Sequence, residues 1–308
     1  MDMSDVTIGT KSFYRPERIK WCLESIYQTD LGFNEVIVAD DGEITEEKKE
    51  IFQEYKEKLD LKVLDLKYDY GLGGSRNRVF QEMNGEYLLW VDDDMSVPAN
   101  VTEMKRVLEK KDDLGGVSGA MFQEGDYRIE AHDFKFSKGI FGKTLIKDVE
   151  EGNVSKEKVE TLVGEKTLYK FDLVLNCLLL KKSCLKDGKW DDRFIISGEH
   201  TDFFLNHYMN TEWEFGVMPD VVFNHYPGGS IEFNDERNDE NKKQNSIEIL
   251  KDKWNIDNIA FRRKFYEGRS SGGISTKIKK KLPLFLLSYL QEKNILPLRQ
   301  KNRVEGDG

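Results

Sequence analysis

Three carboxylates in a row, Asp92-Asp93-Asp94, close the apolar run Tyr87-Leu88-Leu89-Trp90-Val91. Adjacent carboxylates repel one another, and a small hard cation of the Mg²⁺ type, held together with phosphate oxygens, relieves that repulsion. The sequence carries further parts that such chemistry needs. Gly71-Leu72-Gly73-Gly74-Ser75-Arg76-Asn77 joins glycines, which let backbone approach a ligand closely, to Arg76, able to neutralise a phosphate. Ser197-Gly198-Glu199-His200-Thr201-Asp202 reads as a helix start with acidic residues in its first turn, and Asn224-His225-Tyr226-Pro227 stands at the end of a strand. Each has a plain structural alternative: a solvated acidic turn, a glycine turn, carboxylates favouring a helix N-terminus, a hydrogen-bonded histidine at a strand end.

The elements around these residues decide between the two. Tyr87 to Val91 is apolar at every position, the pattern of a strand buried on both faces in a parallel sheet. The carboxyl ends of such strands rim the ligand crevice, so the three aspartates would stand at its mouth. Upstream, Val6 to Gly9 predicts a first strand, Thr10 to Pro16 the loop after it, and Ile19, Cys22, Leu23, Ile26 and Tyr27 a helix. Glu35 to Ala39 predicts a second strand running into Asp40-Asp41-Gly42, Thr45 to Lys58 a charged helix, Leu61 to Leu66 a third strand, and Gly71 to Met83 a helix. This βαβ order makes an α/β fold with a mostly parallel central sheet. Further on come a helix over Asn100 to Lys110 with Asn100 as its cap, a strand over Leu114 to Phe122, an apolar stretch over Phe171 to Lys181, a helix starting near Ser197, and a strand over Val217 to Phe223. Between residues 123 and 170 the pattern loosens, and only short strands are expected.

Composition narrows the class. The chain has 308 residues, enough for one large domain or two coupled halves, and a net charge of −10, which argues against a nucleic-acid partner. The three cysteines form no CxxC pair, as expected of buried thiols in a reducing, cytoplasmic setting. No signal peptide or spanning helix is visible. Residues 269–308 hold nine Lys or Arg against three Asp or Glu, a net +6 that leaves −16 for residues 1–268. That basic, amphipathic tail either packs on the domain with its charges solvated or lies peripherally on an anionic membrane surface.

A strand with a Thr-bearing loop, Asp40-Asp41-Gly42, Gly71 to Asn77 opening a helix, and Gly85-Glu86-Tyr87…Asp92-Asp93-Asp94 stand in one order over about the first 100 residues. This order resembles the family 2-like glycosyltransferases of the GT-A fold. Between residues 70 and 227 the chain is similar to the β-1,4-N-acetylgalactosaminyltransferases, on Trp190 to Phe194, the His200-Thr201-Asp202-Phe203-Phe204 segment, and the valine-rich strand ending at His225. The N-terminal membrane anchor of those enzymes has no counterpart in Met1 to Thr10, so their Golgi residence and acceptors are not carried over.

The resemblance implies a division of the GT-A domain, with residues 1–120 binding the nucleotide-sugar and 121–268 the acceptor. It implies that Thr10 and Asp41 contact the nucleotide base, with Gly71 and Arg76 beside the nucleotide. Asp92 would face ribose or the metal shell, Asp93 would line the same pocket, and Asp94 and His225 would bind Mn²⁺ or Mg²⁺, imidazole favouring Mn²⁺. The implied activity is metal-dependent, inverting transfer of a hexose or N-acetylhexosamine from a UDP-sugar to a glycan or lipid-linked acceptor. Where such enzymes usually carry a Glu-Asp pair this chain reads Glu199-His200, so His200 fits the base by position, and Glu199 and Asp202 by residue type. Two alternatives stand beside this: a sugar-nucleotide nucleotidyltransferase, although Thr10 to Pro16 lacks the glycines its loop would need, and a non-catalytic sugar-binding scaffold.

Overall fold

The computed structural model describes residues 2–140, 142–149, 155–161 and 164–262. The basic tail, 269–308, lies outside the described residues. Chain order gives β1 (Val6–Ser12), α1 (Pro16–Thr29), β2 (Glu35–Asp40), α2 (Glu46–Lys56), β3 (Leu61–Asp65), α3 (Leu72–Glu82), β4 (Tyr87–Trp90) and the short β5 (Met95–Ser96). There follow α4 (Thr102–Lys110), β6 (Leu114–Gln123), β7 (Asp126–Arg128), β8 (Asp133–Gly139), β9 (Gly142–Asp148), β10 (Ser155–Thr161) and β11 (Gly164–Phe171). The last group is β12 (Leu178–Lys181), α5 (Lys182–Asp187), α6 (Glu199–Asn210), β13 (Glu214–His225), α7 (Ile231–Arg237), α8 (Glu240–Trp254) and β14 (Asn258–Phe261).

The main sheet runs β10-β11-β13-β6-β12-β4-β1-β2-β3, with β5 on β13 and β7 on β6. β1, β2, β3 and β4 are parallel, and so are β6 and β13. β12 joins the two groups, antiparallel to β4 on one side and to β6 on the other. All six parallel strands therefore point one way. Their carboxyl ends at Ser12, Asp40, Asp65, Trp90, Gln123 and His225 share one rim, where open α/β sheets bind ligands. The unbroken apolar runs follow from burial on both faces: Val36, Val38, Leu89 and Val91 enter one core, and Ile37, Ala39, Leu88 and Trp90 the other. α1 packs Ile19, Cys22, Leu23 and Ile26 into the first, while α3 and α6 pack Val79, Phe203, Phe204 and Leu205 into the second.

Several expectations need correction. β1 does not stop at Gly9, because its pairing with β2 continues through Thr10↔Val38 to Ser12↔Asp40, so Thr10 sits inside the sheet and not in the loop. Asn100 caps no helix: it lies in a 3₁₀ turn, and its amide donates to the Asp220 carbonyl at 2.8 Å. The loosely patterned middle is largely strand, with β8, β9 and β14 forming a separate three-stranded sheet. β8 in that sheet buries Phe134 alone, whereas β9 is buried from Thr144 to Asp148. Cys22, Cys177 and Cys184 are buried free thiols, as their spacing predicts. No helix among the described residues is long and apolar enough to cross a membrane.

α3 reaches the rim because Gly73 lets it approach the chain at Asp191. A Cβ there would lie 2.1 Å from the Asp191 carbonyl oxygen. Gly73 N–H donates to the Phe194 carbonyl (3.1 Å), and the Asn77 amide donates to the Trp190 carbonyl (2.7 Å). Gly73→Ala is expected to destabilise the protein by about 1–3 kcal/mol through overpacking, read from the urea midpoint at unchanged m. A midpoint equal to the parent's would show that this contact is not close-packed in solution.

Candidate active site

Val91 ends the buried run, and the chain turns at the rim with Asp93 and Asp94 buried and Asp92 half-buried. Arg15, in the N-cap position of α1 and itself 8% exposed, reaches both buried carboxylates. Its guanidinium donates to Asp94 Oδ2 at 2.7 Å and to Asp93 Oδ1, and a further N–H donates to the Gly228 carbonyl at 3.2 Å. Its other face lies over the Phe233 ring, 4.0 Å from the centroid. Burial raises the Asp93 carboxyl above its ordinary value, reinforced by Asp94 and Asp92 and opposed by Arg15. Burial pushes Asp94 the same way, but His225 and Arg15 outweigh it and hold Asp94 below the usual carboxylate range.

β13 delivers His225 to this point, since its pairing with β5 sets His225 opposite Met95, and Tyr226 N–H donates to the Asp94 carbonyl at 2.8 Å. His225 Nε2 stands 3.5 Å from Asp94 Oδ1, an ion pair when the imidazole is protonated, and this buried oxygen has no other partner. On the far side of the ring, Nδ1 lies 3.0 Å from Gln123 Oε1. Among the described residues no three His, Cys, Asp or Glu side chains gather into a complete metal shell. The pair Asp94 Oδ1 and His225 Nε2 nonetheless fits a divalent cation. Both atoms are ligand types for one, they face each other, and the gap suits a cation about 2 Å from each. Asp92 points elsewhere and accepts from the Asn176 amide at 3.4 Å.

At the neighbouring strand ends, Asp41 is fully buried. Its Oδ1 pairs with Lys11 Nζ at 2.5 Å and its Oδ2 accepts from Gly71 N–H at 3.0 Å. Burial raises its pKa, against Lys11 and the Gly71 amide. Gly71 has φ +91°, and a Cβ there would meet the Ile195 backbone at 2.8 Å, so glycine is needed both for conformation and for space. Phe13, Tyr14 and Tyr68 cluster beside it, with Tyr14 held in the left-handed region at φ +53°. Thr10 is fully buried with its hydroxyl unpartnered. Asp40 is taken up by buried Lys48, whose ammonium donates to its two oxygens at 3.0 and 2.7 Å.

The three candidate bases on α6 part company. Glu199 Oε1 accepts from Arg76 Nη1 at 2.7 Å, both side chains buried, and the Arg76 guanidinium lies over the rings of Trp90 and Trp190. Arg76 is thus turned into the protein and not toward the open rim. Burial would raise Glu199, but Arg76 and then His200 hold it below the usual range. His200 Nε2 contacts the Val174 carbonyl, which can only accept, so Nε2 carries the proton and Nδ1 the lone pair. Burial, reinforced by Arg76, depresses His200 to about 4. Asp202 faces α8, accepting from Lys253 Nζ and from Trp254 Nε1, each at 2.8 Å. The side chains missed in the sequence are Lys11, Arg15, Gln123 and Asn176. A charged residue immediately before Pro16 was a signal for Arg15; nothing in the sequence singles out the other three.

The family model described as Glycosyl transferase family 2 matches residues 7–176, more than half of the chain. Over 125 residues the chain is 37% identical to β-1,4 N-acetylgalactosaminyltransferase 2 of Mus musculus, covering 38% of this chain and 22% of that one. It is 25% identical over 232 residues to an uncharacterised glycosyltransferase of Methanocaldococcus jannaschii, covering 72% of this chain and 70% of the other. It therefore spans only about a fifth of the mouse enzyme's length. The crystal structure of S. aureus TarS aligns with 96% of the chain and 81% of its own at a TM-score of 0.52 and 18% identity, a likeness of fold. A second TarS structure, in complex with UDP-GlcNAc, aligns with 74% of this chain and 60% of its own at a TM-score of 0.50 and 19% identity. With the aspartate-bearing strand, the parallel rim and the glycine-opened helix in place, the chain belongs to Glycosyl transferase family 2 and has the GT-A fold.

Proposed function

We propose that the protein transfers a hexose or N-acetylhexosamine from a UDP-sugar to a glycan or lipid-linked acceptor, with inversion and with Mn²⁺ or Mg²⁺. The observation that carries this reading is the buried Asp94 Oδ1 at the rim, which faces His225 Nε2 and has no other partner. Such a cation, when bound, stabilises the charge that develops on a departing nucleoside diphosphate. Asp94 and His225 would hold it, and Asp92, half-buried on the same turn and turned to the Asn176 amide, would face the ribose and not the cation. Asp93, buried against Arg15, serves as counter-charge. Asp41, with the Gly71 amide and the Phe13, Tyr14 and Tyr68 rings, forms the wall for the base. Thr10 and Arg76 act from within, Thr10 by shaping the floor of β1 and Arg76 by holding Glu199. The TarS complex with UDP-GlcNAc supports a UDP-sugar by likeness of fold. The comparisons leave the nucleotidyltransferase and scaffold alternatives without support.

In this reading His200 Nδ1 removes the acceptor proton, while Asp202 ties α6 to α8. With the imidazole depressed to about 4, the base form persists down to that pH. The acid limb of kcat/KM is therefore expected near pH 4, activity falling as pH drops through it, well below the ~6.5 of a free histidine. His200→Gln should lose about 10²–10⁴-fold in kcat with UDP affinity unchanged. A variant of full activity would move the role to Glu199. The reading as a whole is tested by calorimetric titration of UDP, GDP and CDP with and without Mn²⁺. Binding of UDP alone, tightened by Mn²⁺, is expected; metal-independent or absent binding would overturn it.

A further inference from the structure

The hydrogen bonds around His225 fix more than its position. β6 and β13 are parallel with Phe122 opposite Asn224, so the next pair along sets Gln123 beside His225. β6 then turns back into β7 through Glu124 and Gly125, at φ +51° and +81°. Positive φ at both loop residues is the two-residue hairpin that matches strand twist and pins register. That register sets Gln123 opposite Asp126 and Met121 opposite Arg128, which leaves Gln123 and Arg128 as diagonal neighbours on one face. Arg128 Nη1 donates to Gln123 Oε1 at 3.0 Å. A guanidinium has donors only, so the amide oxygen, and not its NH₂, must point to Arg128. The same oxygen lies 3.0 Å from His225 Nδ1, which must therefore be the donor.

We propose that Gln123, braced by Arg128, is a positioning residue that holds neutral His225 as the Nδ1–H tautomer and so reserves the Nε2 lone pair for the cation of the donor site. The alternative tautomer would set Nε2–H against Asp94 Oδ1 and close the gap with a hydrogen bond. With the proton kept on Nδ1, two acceptors face each other across 3.5 Å, an arrangement that a cation stabilises and that neither partner satisfies alone. The proposal rests on the reading of Asp94 and His225 as the cation site.

The test uses the full chain without metal at about pH 8.5, about two units above the ordinary imidazole value. Long-range ¹H–¹⁵N spectra of ¹⁵N-histidine protein report the tautomer of each of the four histidines, and His225→Gln identifies the signal of interest. The expected result is Nδ1–H in the parent, a shift to Nε2–H in Gln123→Leu, and return to Nδ1–H in Gln123→Glu, whose carboxylate still accepts from both neighbours. Mn²⁺ affinity of the UDP complex should fall about 10–100-fold in Gln123→Leu and recover in Gln123→Glu. Arg128→Leu, which frees the amide to turn, should show a mixture of tautomers and an intermediate affinity. Nε2–H in the parent, or a Gln123→Leu variant that folds with unchanged tautomer and affinity, would overturn the proposal. If instead His225→Gln left Mn²⁺ affinity unchanged, the cation site would be at fault, and the proposal would fall with it.

Discussion

Asp94→Ala is expected to lower sugar transfer by at least about 10³-fold and to abolish the gain in UDP affinity that Mn²⁺ confers. The substitution removes the oxygen that faces His225 and the one that accepts from Arg15. Asp94→Asn is the sharper variant, because it keeps the shape and an acceptor for Arg15 but loses the charge. Initial rates and titration of UDP with Mn²⁺ would read both effects, and chelation of the parent enzyme should reproduce the loss and be reversed by added Mn²⁺. Full, metal-stimulated activity in either variant would remove Asp94 from the site.

Replacing Arg15 by Ala should cost about 3–5 kcal/mol of stability, on the order of 10 °C in Tm, because two adjacent buried carboxylates lose the guanidinium they share. Mn²⁺ would then stabilise the variant more than the parent, since it supplies charge that Arg15 no longer provides. Arg15→Lys should recover only part of the loss: an ammonium cannot fork to Asp93 and Asp94 as a guanidinium does. Thermal melts with and without Mn²⁺ are the measurement. A change of less than about 2 °C would mean that the paired carboxylates tolerate burial without the arginine.

The frame of the fold was legible because its central strands are buried on both faces. Glu35 to Ala39 and Tyr87 to Val91 read as strands for the same reason that they feed two cores at once. The aspartate turn, the glycine-opened helix and His225 were legible as residue types at strand and helix ends. What escaped was partnership across the chain. Arg15 meets Asp94 from 79 positions away and Lys253 meets Asp202 from 51, and no local pattern encodes either. Thr10 was read as loop because a polar strand end looks like one until its pairing with β2 is seen. The short strands of the middle segment, rich in lysine, carry too weak an alternation to be placed in order.

The antiparallel β12 has a consequence for how the enzyme is made. As the chain leaves the ribosome, β4 and β6 exist before anything lies between them, and Leu179 must arrive to pair with Leu89 on one side and Val117 on the other. Until then β4 exposes an open edge at Leu88-Leu89-Trp90, the kind of apolar edge that recruits other chains. His225 emerges later still, so a nascent or truncated product ending before it has Asp94 but no imidazole opposite. Retention on a metal resin through this site would then report that synthesis had passed His225 and that the two strand ends had come together.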